Sequence, residues 1–279
     1  METILSGLLS LKYEPVAILW SNQKPEHAIE FKPGKWGCVM WWFVSSAKGK
    51  TAVFSRETYG CWGGGIGLGF GNCYKDFPGG EDCFCRFLST GNKGHPIGEG
   101  VAEQIKNFVT PEFMQDFLHG EGYLSSPEQV QNFIQSLPII DIPYEYVIFK
   151  PLSQINTDIE QPKTVVFLVE PHQLSALIIL ANFRSRTMNN VIVPYSAGCQ
   201  TIGIWAYAND DDNDPKAVIG LTDISARLNV KKQIGDNYLT ITFPWKLFLQ
   251  IEEDAPNSFL VKETWSHLTK GKGIGEGES

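Results

Sequence analysis

Six cysteines are the residues of this chain best suited to chemistry, and they are unevenly placed. Cys38, Cys61, Cys73, Cys83 and Cys85 crowd between residues 38 and 85, whereas Cys199 stands apart. Thiolates are soft donors that suit an iron–sulfur cluster, zinc or copper(I) rather than magnesium or calcium. None of the spacings is a C-x-x-C pair, so zinc-ribbon and ferredoxin arrangements are absent. Cysteines on separate loops can still converge, and three or four thiolates suffice for a cluster. Three chemistries stay open: a bound soft metal or cluster, a reactive thiol, and small hydrophobic side chains that fill a core.

Cys61 is the strongest single candidate. It follows a segment, Thr51 to Ser55, that reads as a strand, and it stands in a glycine run in which seven of the twelve residues from Gly60 to Gly71 are glycine. Strand-end loops carry function more often than element interiors, and a cation such as Arg56 close by would favour the thiolate. In a thiol enzyme Cys61 would be the nucleophile, although no general base is evident. Such a run is expected to be a loop rather than a helix, either flexible or allowing a close backbone approach. Gly60, Gly63 and Gly64 would then face a cofactor or the sulfur atoms. No window reads G-x-G-x-x-G and no G-K-[ST] follows, so a phosphate loop is not indicated. Cys83 and Cys85, if extended, would point the same way.

Other motifs are weaker. The run Asp210-Asp211-Asp212-Asn213-Asp214 lacks the sixth-position glycine and twelfth-position glutamate of a calcium loop, having Pro215 and Leu221 there, and reads as a solvated turn. His95, ten residues beyond Cys85, reads as an ordinary loop histidine. Neither H-E-x-x-H nor G-x-S-x-G occurs.

The elements that must position these residues follow from hydrophobic patterning. A short helix is expected over residues 2–12 and a buried strand over Pro15 to Trp20. Val39 to Val44 could be helix or strand. Helical segments follow at 101–108, 111–118 and 127–136, with Thr110 and Ser126 as caps before Pro111 and Pro127. Strands are expected at 146–149, 165–169, 191–193 and 238–243, and helices at 173–182 and 244–251. The passage from 165 to 193 reads as strand–helix–strand, the unit that makes parallel pairs. The fold class is therefore α/β or α+β, with a compact mixed or mostly parallel sheet and flanking helices. The chain reads as a single compact domain over 1–269 with a flexible tail over 270–279. A weak echo at an offset of 138 residues relates Thr51–Cys61 to Asn189–Cys199. It suggests two similar halves, about 10–136 and 145–255, and would place Cys61 near Cys199.

Composition limits the partners. With 279 residues and 8 Trp, 9 Tyr and 17 Phe, the chain can build a core without disulfides or metals. The net charge of −8 disfavours nucleic acid and anionic membranes. The longest apolar stretch, around Leu177 to Ala181, is far short of the roughly 20 residues a bilayer needs. No basic, apolar leader is read at Met1 to Leu5, so a cytoplasmic location with reduced thiols is expected.

The order of the motifs resembles one family. Pro15-Val16-Ala17-Ile18 precedes Gly37-Cys38, and Cys61-x-Gly63-Gly64 runs on to Leu68-Gly69-Phe70. Phe149-Lys150-Pro151-Leu152, Val166 to Val169 with Pro171, Cys199, Ile219-Gly220 with Arg227, and Thr242-Phe243-Pro244 follow. From about residue 8 to 255 the chain is similar to domain-of-unknown-function family 169, an archaeal conserved region. The resemblance implies no established reaction, and a setting in anaerobic metabolism that suits oxygen-sensitive thiolate chemistry. The positions that match its cysteine pattern are Cys38, Cys61 and Cys199; Cys73, Cys83 and Cys85 lie outside it.

The resulting expectation is a redox-type protein in which Cys38, Cys61 and Cys199 hold an iron–sulfur cluster or zinc, working with a small molecule or a redox partner. The alternatives are a metal-free module whose glycine run and aromatic residues form a small-molecule pocket, and a thiol-dependent enzyme centred on Cys61.

Overall fold

The computed structural model describes residues 1–210 and 213–270. Of the tail expected over 270–279, Lys270 ends a helix; residues 271–279, and Asp211 and Asp212 of the acidic run, lie outside the described residues. Seven strands among the described residues form one sheet. In chain order they are β1 (Val16–Ser21), β2 (Ala52–Phe54), β3 (Tyr146–Pro151), β4 (Thr164–Val169), β5 (Val191–Ile192), β6 (Ala217–Gly220) and β7 (Leu239–Pro244). The spatial order is β2-β3-β1-β4-β7-β6-β5. This is the mixed α/β architecture expected, but every neighbour pair is antiparallel except β5 with β6.

The strand–helix–strand passage does not make the parallel pair that its pattern predicted. β4 and β5 run in the same direction, yet β7 and β6 lie between them. Each of β4, β6 and β7 is buried along nearly its whole length, so apolar composition alone cannot say which strands are neighbours. β1 also lies between β3 and β4, so strands from residues 10–136 and 145–255 interleave in the one sheet.

Alternating side chains feed two cores. Ala17, Leu19, Val165, Phe167, Ile241 and Phe243 point into one, closed by α1 (Ile4–Leu8), α8 (Pro171–Ala181), α12 (Trp245–Asp254) and α13 (Glu263–Lys270). Val16, Ile18, Phe54, Phe149, Val166 and Leu168 point into the other. That face carries α2 (Val39–Ser46), α3 (Trp62–Leu68), α4 (Gly80–Phe87), α5 (Pro96–Ile105), α6 (Pro111–His119), α7 (Pro127–Ser136), α9 (Gly198–Ile202), α10 (Ile204–Ala208) and α11 (Ile224–Ile234). The caps read from sequence are in place. Thr110 accepts from the Phe113 amide at 3.2 Å and Ser126 from the Gln129 amide at 3.3 Å, each just ahead of a proline at the first helical position. No helix among the described residues is long and apolar enough to cross a membrane.

The largest departure from the sequence reading is α3. Its residues, Trp-Gly-Gly-Gly-Ile-Gly-Leu, were expected to be a loop but are helical. Four interior glycines cost a helix roughly 2–4 kcal/mol relative to alanine, so close packing must offset them. A methyl at Gly67 would meet the Cys199 carbonyl carbon at 2.6 Å and one at Gly64 the Val39 side chain at 2.7 Å. The helix ends on Gly69 at φ +95°, with the Phe70 amide bonded back to the Gly65 carbonyl at 2.9 Å. Of the two readings of the glycine run, the close backbone approach is the one realised.

Candidate functional site

Four helix starts meet on the crowded face of the sheet. Cys38 caps α2, Cys61 caps α3, Cys199 is the second residue of α9, and Asp223 caps α11. Glycine lets them meet. At Gly60, φ is +83° and a Cβ would collide with the Gly37 carbonyl, which sets the Cys38 and Cys61 segments against each other. On the other side, the thiol of Cys199 donates to the Gly63 carbonyl at 3.3 Å. The echo at 138 residues therefore does place Cys61 near Cys199. β2 and β5 occupy opposite edges of the sheet, and the helices that follow them pack together at Gly67 and Gly203.

The thiols are held protonated. Burial pushes Cys38 up to about 12, aided by Cys61, opposed by the Met40 amide, and raised further by Asp223. Burial also raises Cys61, against the amides of Gly64 and Gly63, while Asp223 adds to the rise. Cys199 is raised by burial and then by Cys61 and Cys38. Arg56 does not activate Cys61 as the sequence suggested. Its guanidinium pairs with Asp141 at 2.8 Å and donates to the Ile142 carbonyl at 2.9 Å.

The three sulfurs influence one another, yet they do not form a ligand set. Among the described residues no group of three or more His, Cys, Asp or Glu side chains is arranged to hold a metal ion. Cys73 lies against Gly65 and donates to the Phe70 carbonyl at 3.5 Å. Cys83 and Cys85 are on the helix α4 rather than on an extended segment, so they do not point alike; both are buried. His95 caps α5, its Nδ1 accepting from the Gly98 amide at 3.3 Å.

In front of Cys61 opens a cavity of about 660 Å³, well inside the range of small-molecule sites. Cys61 and Gly63 form one wall; Gly60, Gly64, Cys38 and Cys199 do not line it. Aromatic rings from α4 and α6 and the start of α11 also line it. The rings support one another. Trp62 packs edge-on to Phe77 at 4.8 Å, and Phe87 lies against Phe113 at 5.5 Å. Tyr74, stacked on Phe84 at 3.8 Å, accepts from Gln200 Nε2 at 3.0 Å. Trp36 and Tyr195, both more than half exposed, stand at the mouth.

Family comparison places the chain. The family described as DUF169, uncharacterised ArCR, matches residues 4–254. The chain belongs to this family. The resemblance seen in the motif order thus holds across nearly the whole fold. No curated protein and no solved structure matches the chain.

The three carboxylates of the cavity, Asp116, Glu121 and Asp223, escaped sequence reasoning. Burial raises the Glu121 carboxyl to about 7, and Asp116 and Asp223 push the same way. Burial also raises Asp223, although the Ala226 amide donates to its Oδ2 at 3.0 Å. Its other oxygen, Oδ1, is buried with no hydrogen-bond partner of ordinary geometry. The one available signal was Asp223 itself, three residues before Ala226 at the start of an apolar-periodic stretch, which marks a helix cap but not a cavity wall.

Proposed function

We propose that this family member is a binding module for a small organic molecule, held in the cavity in front of Cys61. The observation that carries the reading is the cavity itself: its volume suits a small molecule, its walls are rich in aromatic rings, and a few polar groups converge on it. This is the metal-free alternative reached from the sequence, with Gly63 and the aromatic residues as walls. Nucleophilic catalysis by Cys61 is less well supported, because burial and Asp223 oppose the thiolate and the lining includes no cation to favour it. A cluster or zinc on Cys38, Cys61 and Cys199 lacks a fitting donor group.

The test uses saturation-transfer NMR with benzyl alcohol, indole and benzylamine as probes. Leu228, at the rim and 67% exposed, can be changed to tryptophan to narrow the mouth without disturbing the core. Binding of a probe to the wild type that is lost in Leu228→Trp supports the reading. No binding at millimolar concentration, or binding that Leu228→Trp leaves unchanged, contradicts it.

A further inference from the structure

The charged residues that line the cavity carry one sign. Asp116 on α6, Glu121 in the turn after it and Asp223 at the start of α11 all contribute, and among the described lining residues there is no Lys, Arg or His. Asp116 and Asp223 both act on Glu121, and all three act on the Tyr123 hydroxyl. Arg227, one turn along α11, lowers Asp223 slightly through space, after burial has raised it, but it does not line the cavity and its guanidinium is engaged elsewhere. It donates to the carbonyls of Leu221, at 3.2 Å, Tyr238, at 3.1 Å, and Asp236. The carboxylates therefore face the cavity without a protein counter-ion in its walls.

Around them stand aromatic faces. Trp36, Trp62, Phe113, Tyr123 and Tyr195 line the same space, and an aromatic face attracts a cation through its quadrupole. Burial raises the hydroxyls of Tyr123 and Tyr195 and keeps them neutral, so they offer ring surface without further charge.

We propose that the occupant is an organic cation, an amine or quaternary ammonium compound with an apolar body, seated against these rings and neutralised by Asp116, Glu121 and Asp223. The inference rests on the cavity being a ligand site, as proposed above, and adds the chemical class. An anionic ligand would meet three carboxylates of its own sign. A neutral one would leave the half-buried carboxylates uncompensated. A bare metal ion would lose water to apolar walls that cannot replace it, and no ligand set for one is present among the described residues. An alkylated ammonium carries little bound water and satisfies both the rings and the charge.

The groups that face Glu121 are Asp116, Asp223, Tyr123 and Tyr195, all acidic or neutral. Binding of a cation is accordingly stronger at pH 8 than at pH 6, since Glu121 loses its proton near pH 7.

The test is calorimetric titration at pH 7.5 with phenyltrimethylammonium, its neutral carbon isostere tert-butylbenzene, and benzenesulfonate. The proteins are the wild type, Glu121→Gln, Asp223→Asn and Leu228→Trp. Asparagine caps helices as well as aspartate does, and Glu121→Gln is an independent isosteric probe should Asp223→Asn lose its fold. The cation is expected to bind at least tenfold tighter than tert-butylbenzene, and each carboxylate variant to weaken the cation at least threefold while leaving the neutral compound unchanged. Equal or tighter binding of tert-butylbenzene, lost in Leu228→Trp, overturns the cation assignment and leaves the cavity as a binding site. Binding of none of the three overturns both.

Discussion

Cys61 and Asp223 each cap a helix and line the same cavity, where burial raises the pKa of the thiol and the carboxylate adds to the rise. A cysteine in such a place is a weak acceptor, here for the Gly64 amide at 3.3 Å, rather than a poised nucleophile. Cys61 is expected to react with iodoacetamide more slowly at pH 8 than a cysteine in the urea-unfolded chain. Asp223→Asn, which removes an adjacent negative charge, should speed that reaction several-fold. Peptide mass spectrometry after timed alkylation reads both rates. Fast labelling of wild-type Cys61 would show a thiolate that these surroundings do not favour.

Glu121 links stability to pH. Its carboxyl has a pKa of about 7 in the folded chain against an ordinary 4.5. A raised folded pKa means that the folded state holds its proton longer. The contribution is fully present below about pH 4.5 and is lost as pH rises through 7. Glu121→Gln should therefore be more stable than the wild type at pH 8, by roughly 1–3 kcal/mol, and close to it at pH 4.5. Urea unfolding at the two pH values measures the difference, and a variant less stable at pH 8 would contradict the assignment.

The glycine helix makes a packing prediction. Gly67→Ala places a methyl 2.6 Å from the Cys199 carbonyl carbon and 2.8 Å from the Gln200 nitrogen. Because the obstacle is backbone, the loss is expected to reach about 1–3 kcal/mol or more. Gly100→Ala, within α5 with nothing near its added methyl, should instead stabilise by about 0.4–1 kcal/mol. Unfolding midpoints that move together in the same direction would refute the packing argument.

Tyr74 ties the cavity floor to α9. Tyr74→Phe removes the acceptor of the bond from Gln200 Nε2, a buried amide nitrogen, and is expected to cost about 1–3 kcal/mol. Gln200→Leu in that background should deepen the loss, because Gln200 Oε1 also accepts from the Ser196 hydroxyl and from the Ala197 amide, at 3.0 Å, and both donors would lose their acceptor. Denaturant midpoints of the single and double variants test the coupling.

The sequence disclosed the elements whose signals are local. Proline-capped helices after Thr110 and Ser126 stand where their caps put them, and the alternating strand ending at Pro244 is found. It disclosed the cysteine convergence through the Gly-Cys echo at 138 residues, because both cysteines sit at helix starts after edge strands. It missed α3, whose glycines break the local rule and are held helical by tertiary contact with Val39 and Cys199. Sheet order was hidden for a different reason: central strands are apolar on both faces, so composition does not rank neighbours. Glu121 and Asp223 are 102 positions apart in sequence and carry no shared motif. They become a site only when the loop after α6 meets the start of α11, and nothing short of the fold reveals that.

The most direct test of the central claim, that the cavity is a ligand site, is a heteronuclear NMR titration of protein labelled with ¹⁵N-tryptophan. Trp36 and Trp62 line the cavity, whereas Trp245 and Trp265 pack on the opposite face of the sheet. Added benzyl alcohol or benzylamine is predicted to shift the indole signals of Trp36 and Trp62 and to leave those of Trp245 and Trp265 in place. Shifts confined to Trp245 and Trp265, or no shift at any tryptophan up to millimolar probe, would contradict it.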